Sequence, residues 1–136
     1  MSETQMILES TTDAMTASHV LTPMVLGLQA LAVNGKQAHW NVRGENFVAI
    51  HELIDTIVGN AQTSADQAAE RIVALGLPVD ARVCTVAAGT STRVAAGFSQ
   101  WDDSVRDLVA DIDVVISATR VAIEALDGVD LPSQDV

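Results

Sequence analysis

Residues 37–71 read QAHWNVRGENFVAIHELIDTIVGNAQTSADQAAER. They hold two of the chain's three histidines, one of its two tryptophans and several carboxylates, in an otherwise apolar, alanine-rich sequence. Phe47, Ile50, Leu53, Ile54, Ile57, Val58 and Ala61 recur at helical spacing. The pattern runs on through Ala65, Ala69, Ile72 and Val73 to Leu75, where Gly76 and Pro78 stop it. This predicts a helix from about 46 to 75, roughly 45 Å long at 1.5 Å per residue.

Upstream, Val20, Met24, Leu28 and Leu31, with Leu21 and Val25 beside them, predict a helix over about 16–41. Pro23 is expected in or near its first turn, with Thr22 as a cap. The break at Gly44 is short, so these two helices form an antiparallel hairpin. Residues 1–15 are polar and weakly patterned and read as an arm, which leaves 16–136 as one helical domain. Residues 77–98 read as loop, with one short helix near 85–89. Ser99 followed by Asp102 resembles a capping box for a third long helix. Its expected buried face is Val105, Leu108, Val109, Ile112, Val115, Ile116, Ile123 and Leu126, and Gly128 closes it. No β pattern is visible. The fold class is all-α.

A chain of 136 residues is the size of one domain, and 49% hydrophobic residues supply a core. The net charge is −11, with only Lys36 and six arginines, none before residue 36. Gripping DNA takes clustered Lys and Arg, so DNA binding is not expected. An acidic surface attracts cations. The single cysteine, Cys84, excludes an intrachain disulfide. The N-terminus carries no signal-peptide pattern, and the longest apolar run, Val20 to Val33, contains Pro23 and is short for a membrane span. The expectation is a cytoplasmic protein without a membrane partner.

At 100° per residue, with His51 at 0°, Asp55 falls at about 40°, Asp66 at about 60° and Glu70 at about 100°. All four share one helix face. His51/Asp55 and Asp66/Glu70 are i,i+4 pairs, each able to touch one ion. Asp55 and Asp66, however, are separated by roughly 16 Å of helix rise, and metal–ligand bonds are near 2 Å. An antiparallel copy of the helix resolves this. A two-fold axis near residue 60, where Gly59, Asn60 and Ala61 permit close approach, sets His51 and Asp55 of one chain opposite Asp66 and Glu70 of another. Hairpin geometry brings His39 to the level of His51. The expected site is therefore His39, His51 and Asp55 from one chain with Asp66 and Glu70 from its partner. Imidazole and carboxylate ligands suit iron, zinc or manganese. Each residue taken alone is more often an ordinary solvated side chain; the reciprocal spacing is what points to a metal.

KQAHWNVRGENFVAIHELID followed by ADQAAERIVALG resembles the Dps family, the mini-ferritins. The matching pattern is His39-Trp40-Asn41, Gly44, Asn46-Phe47, His51-Glu52, Asp55, Asp66 and Glu70-Arg71. The resemblance implies a ferritin-like four-helix bundle assembled as a twelve-subunit shell, a dodecamer built from two-fold dimers. It also implies ferroxidase centres between subunits, which bind Fe(II), oxidise it with hydrogen peroxide and pass ferric iron to a mineral. By the same resemblance the metal ligands are His39, His51, Asp55, Asp66 and Glu70, and Trp40 intercepts radicals or packs at the interface. Asp127, Asp130 and Asp135 match acidic residues that line iron-admitting pores.

This sequence departs from the family in two ways. Lys-rich DNA-binding arms are absent here. Family members also continue past a turn like DLPSQDV into a fourth long helix, which is missing from residues 1–136. Apolar seams on the first and third long helices are therefore expected to lie open, with residues missing beyond 136. The competing functions are a metal-dependent hydrolase on the same scaffold, whose substrate nothing names, and a DNA-protecting shell with little catalysis, which the charge disfavours.

Overall fold

The structure is a computed structural model describing residues 1–136. Its elements are α1 (Glu3–Asn41), β1 (Val42–Arg43), α2 (Phe47–Ala74), α3 (Val83–Gly89), β2 (Ser99–Gln100), α4 (Trp101–Leu126) and α5 (Leu131–Gln134). α1 is the central member. α2 returns antiparallel along one flank, the 75–98 segment crosses back to the far end, and α4 descends the other flank. α2 and α4 barely touch. Leu28, Leu31, Ile54, Val58, Leu108 and Val115 form the core near the α1–α2 turn. Leu21, Val25, Ile72, Ala122 and Leu126 form a second core at the other end. Two antiparallel hairpin helices joined by a long crossover to a third is the connectivity of ferritin-like bundles.

Two glycines set the approach of the elements. A Cβ on Gly35 would lie 2.7 Å from Val58 Cγ2, so the α1–α2 hairpin closes only with no side chain there. Gly44 turns the chain at φ 109°, and a Cβ would meet Trp101 Cδ1 at 2.8 Å. Trp101 thus packs, as expected, behind the turn.

Several expectations are corrected. α1 begins at Glu3, not near 16, so residues 3–15 continue the helix instead of forming an irregular arm. Ser2 and Gln5 form a capping box there: each side chain bonds the other residue's backbone at 3.2 Å. Pro23 consequently sits deep inside α1. Its missing N–H frees the carbonyl four residues back, and Thr22 bonds the Ser18 carbonyl at 2.7 Å instead of capping a helix. Ser99 does not cap α4. It lies in β2, paired in parallel with β1 as Val42↔Ser99 and Arg43↔Gln100, a short ladder that no alternation announces. α1 is also long and apolar enough to cross a membrane, with mean hydropathy 1.3 over 18 residues. Much of it, however, is packed against α2 and α4. A bundle's central helix meets the same length and composition test.

Of the two apolar seams expected to lie open, the one on the third long helix, α4, is open and the one on α1 is largely covered. Leu21, Val25 and Leu28 of α1 are buried, because α1 has a helix on either side. The open stripe is on α4, where Val109, Ile116 and Ile123, seven residues apart, are 48%, 41% and 44% exposed. Leu53 and Val73 of α2 are also exposed.

Arg71, near the end of α2, ties down the turn before α5. Its Nη2 donates to Asp130 Oδ2 at 2.7 Å and its Nε to Ser133 Oγ at 2.8 Å. Burial pushes the Asp130 carboxyl up, but the Ser133 hydroxyl and the Arg71 guanidinium outweigh it and hold the group below the usual carboxylate range. A depressed carboxylate stabilises the fold above its unfolded pKa, and that contribution is lost as pH falls through the folded value. Arg71→Ala is therefore expected to cost about 1–3 kcal/mol at pH 7, by the strength of hydrogen bonds to charged groups. Circular-dichroism melts of the two proteins should converge as the pH is lowered through the acid range; a constant gap would show that the ion pair is not the source.

Candidate metal centre

His39 lies in the last turn of α1 and His51 two turns after the hairpin, so the α1–α2 packing sets them side by side. The rings stack, with centroids 3.6 Å apart and planes inclined by 20°. His39 Nδ1 is 2.8 Å from the His51 carbonyl oxygen, and His51 Nδ1 is 2.8 Å from the His39 carbonyl oxygen. A carbonyl only accepts, so both Nδ1 atoms carry a hydrogen and donate it. Each Nε2 is then left with its lone pair, the form that ligates metals. The Phe47 ring, 5.9 Å from His51, stands at the edge of the stack.

Asp55 lies one turn below His51 and is exposed. It is ion-paired with Lys36, the only lysine of the chain. The hydrogen bond from Lys36 is the main cause that holds Asp55 below the usual carboxylate range; partial desolvation opposes it, and the ammonium charge adds to it. The sequence reading missed Lys36. The available signal was its place one turn before His39 on the same helix.

Asp66 and Glu70 are exposed on α2, roughly 16 Å or more of helix rise from Asp55. Nowhere in the single chain do three His, Cys, Asp or Glu side chains come close enough to share an ion. The fold thus brings the two histidines together, sets Asp55 beside them against Lys36, and leaves Asp66 and Glu70 apart. Trp40, next to His39, is 63% exposed, and His19 is exposed with no partner of this kind. Of the three acidic residues near the α4–α5 turn, Asp130 is committed to Arg71 and Ser133. Asp127 and Asp135 are exposed, and Asp135 shares an open groove with Glu70.

The chain matches the ferritin-like domain family over residues 26–136. It is 60% identical to the Dps of Microbacterium arborescens, whose structure was solved in a high-iron form, with a TM-score of 0.89 over 90% of this chain and 81% of that one. Dps92 of Deinococcus radiodurans superimposes with a TM-score of 0.87 at 26% identity, covering 91% of this chain and 76% of that one. The DNA protection during starvation protein of Mycolicibacterium smegmatis is 39% identical over 105 residues, which are 74% of this chain. The match spans 56% of that relative's length.

Two observations test the geometry. Replacing Lys36 with Met should move the Asp55 titration upward toward an ordinary aspartate value near ~3.9, read by carboxyl-carbon NMR; an unmoved midpoint would discard the ion pair. Nitrogen-15 spectra of the neutral rings should show Nδ1–H on both His39 and His51, and an Nε2–H signal on either would break the reciprocal pairing.

Proposed function

Because this chain belongs to the Dps family of ferritin-like proteins, we propose that it is a ferroxidase: it binds Fe(II) between two-fold-related subunits and oxidises it with hydrogen peroxide. The observation that carries the reading is the locked pair of imidazoles. Both keep Nε2 free, and both sit on a surface that holds too few ligands alone. Asp66 and Glu70, exposed further along the same helix face, are the complementary half. A two-fold axis near residue 60 presents the partner's Asp66 and Glu70 to His39, His51 and Asp55, and makes two equal sites.

The stacking argues for two ions per site. An imidazole lone pair lies in its ring plane. Two rings with centroids 3.6 Å apart and planes inclined by only 20° have their planes meet well beyond bonding reach of either Nε2. One ion cannot sit in-plane on both Nε2 atoms, so each histidine takes its own, at a separation near the ~3.5–4 Å of two-metal sites. His51 and Asp55 are one turn apart and serve one ion; His39 serves the other. To bind there, iron displaces the Lys36 ammonium from Asp55.

The chain's part is to hold, orient and bias. Carboxylates favour Fe(III) over Fe(II), because the hard anion gains more from the higher charge. Two Fe(II) ions give one electron each to one peroxide, whose O–O bond breaks, and the oxygens leave as hydroxide. No hydroxyl radical forms when both electrons are delivered together. Trp40 stands beside His39 as a sink for stray one-electron oxidant. Ferric ions then hydrolyse to mineral, releasing protons, inside a shell of twelve subunits in the cytoplasm. Asp127 and Asp135 retain free carboxylates to attract incoming Fe(II); Asp130 has another task. Relatives carry DNA protection in their names. Here the charge of −11 favours protection by removing Fe(II) and peroxide over contact with DNA.

Asp66→Ala/Glu70→Ala is expected to slow peroxide-driven Fe(II) oxidation, followed by ferric absorbance, by more than the ~10–100-fold typical of a lost supporting residue. His39→Ala/His51→Ala should do the same. Co-assembly of the two double mutants distinguishes a shared site from an internal one. At equal mixing half of all pairs are mixed, and each mixed pair has one intact site in two, so activity should return to roughly a quarter of wild type. Co-assembly that stays inactive would refute the intersubunit site.

A further inference from the structure

We propose that one buried water molecule is a fixed part of this fold, held beneath the last turn of α1 and bonded to Ser104. Ser104 sits in the first turn of α4, is 4% exposed, and its Oγ has no partner in the protein. It borders a cavity of about 10 Å³ whose other walls include Ala38 and Asn41 of α1, Ser99 of β2 and Asp107 of α4. An orphaned buried hydroxyl is costly, and native proteins rarely leave one. The cavity has about the volume of one water and is too small for any organic ligand; four of its eight lining residues, Asn41, Ser99, Ser104 and Asp107, carry polar side chains, and a small cavity is wet where a water finds two to four such partners.

The polar walls have capacity to spare. Asn41 donates its Nδ2 to the Gln37 carbonyl at 2.8 Å, which leaves Oδ1 free to accept. Asp107 offers carboxylate oxygens, and its ion-pair contact is a loose one, 3.7 Å from Arg106 Nε. The Ser99 hydroxyl makes only a long contact, 3.4 Å, to the Gln100 carbonyl. A water there accepts from Ser104 and donates to two of these oxygens, well within its usual two to four bonds.

The water completes a clamp whose dry half is visible. Gln37 Nε2 donates to the carbonyls of Ala95 and Ala96, at 3.2 and 3.0 Å. That side chain ties the crossover segment to α1, and the water ties the same segment and α4 to Asn41, one turn further on. Both anchors flank His39, yet neither needs a metal, so this inference stands apart from the ferroxidase reading.

The test is a crystal structure of the assembled wild-type protein, at a resolution that shows solvent, together with melts of Ser104→Ala. The expected density peak lies within about 3.2 Å of Ser104 Oγ and of at least one of Asn41 Oδ1, Ser99 Oγ or the Asp107 carboxylate. Ser104→Ala is expected to melt below wild type, because the water loses its donor. An empty cavity, a Ser104 hydroxyl turned back onto the Gln100 carbonyl, or cation density at metal-bond distance would overturn the proposal. A melting temperature for Ser104→Ala equal to or above wild type would do so too, since removing an unsatisfied hydroxyl relieves a cost.

Discussion

Gly35 lets α1 close on Val58 of α2, and that approach sets the level at which His39 meets His51. The reciprocal bonds between each ring and the other residue's carbonyl exist only at that level. They cross-link the two helices next to their turn and fix the tautomer of both rings. Structure and chemistry are one interaction here: the bonds that hold the hairpin also leave the Nε2 lone pair of both rings free. Phe47 and the Gly44–Trp101 contact support it from the turn side.

A second constraint is that α2 is one unbroken helix of 28 residues and its polar face is long. Two i,i+4 ligand pairs on one rigid helix cannot fold back on each other. Their separation is a matter of rise per residue and no side-chain motion removes it. The proposed intersubunit site follows from this separation, since a symmetric second copy is the simplest geometry that brings the two pairs together. The ion pair of Lys36 with Asp55 fits this reading: a lone carboxylate beside two imidazoles finds the one ammonium available. On the proposed function, iron would have to displace only an exposed ion pair, which costs little.

The third long helix shows how neighbours decide burial. α4 has an apolar stripe at Val109, Ile116 and Ile123, but it packs mainly on α1, so the stripe stays open. The adjacent face, about 100° round the helix, with Leu108, Val115 and Leu126, is sealed. Near the end of α4, Asp130 is drawn inward by Arg71 and Ser133, which turns a surface acid into a tether.

Periodicity alone determined the long helices. The stripe from Ile50 to Ile72 and the breaks at Gly44 and Gly76 fixed α2 to within a residue or two, because both signals are local. The i,i+4 spacing of His51/Asp55 and Asp66/Glu70 was legible for the same reason: a helix is a ruler that sequence can read. Tertiary structure decided what depends on contacts between distant segments. Ser99 pairs with Val42 instead of capping α4, and Pro23 is tolerated inside α1 because packing on both flanks outweighs one lost hydrogen bond. Residues 3–15, without a clear apolar face, are nonetheless continuous with the helix behind them. The histidine tautomers, the hold of Lys36 on Asp55 and the tether at Asp130 are likewise invisible in the sequence. Each is a contact between separate elements, and only the packing of those elements sets its distance.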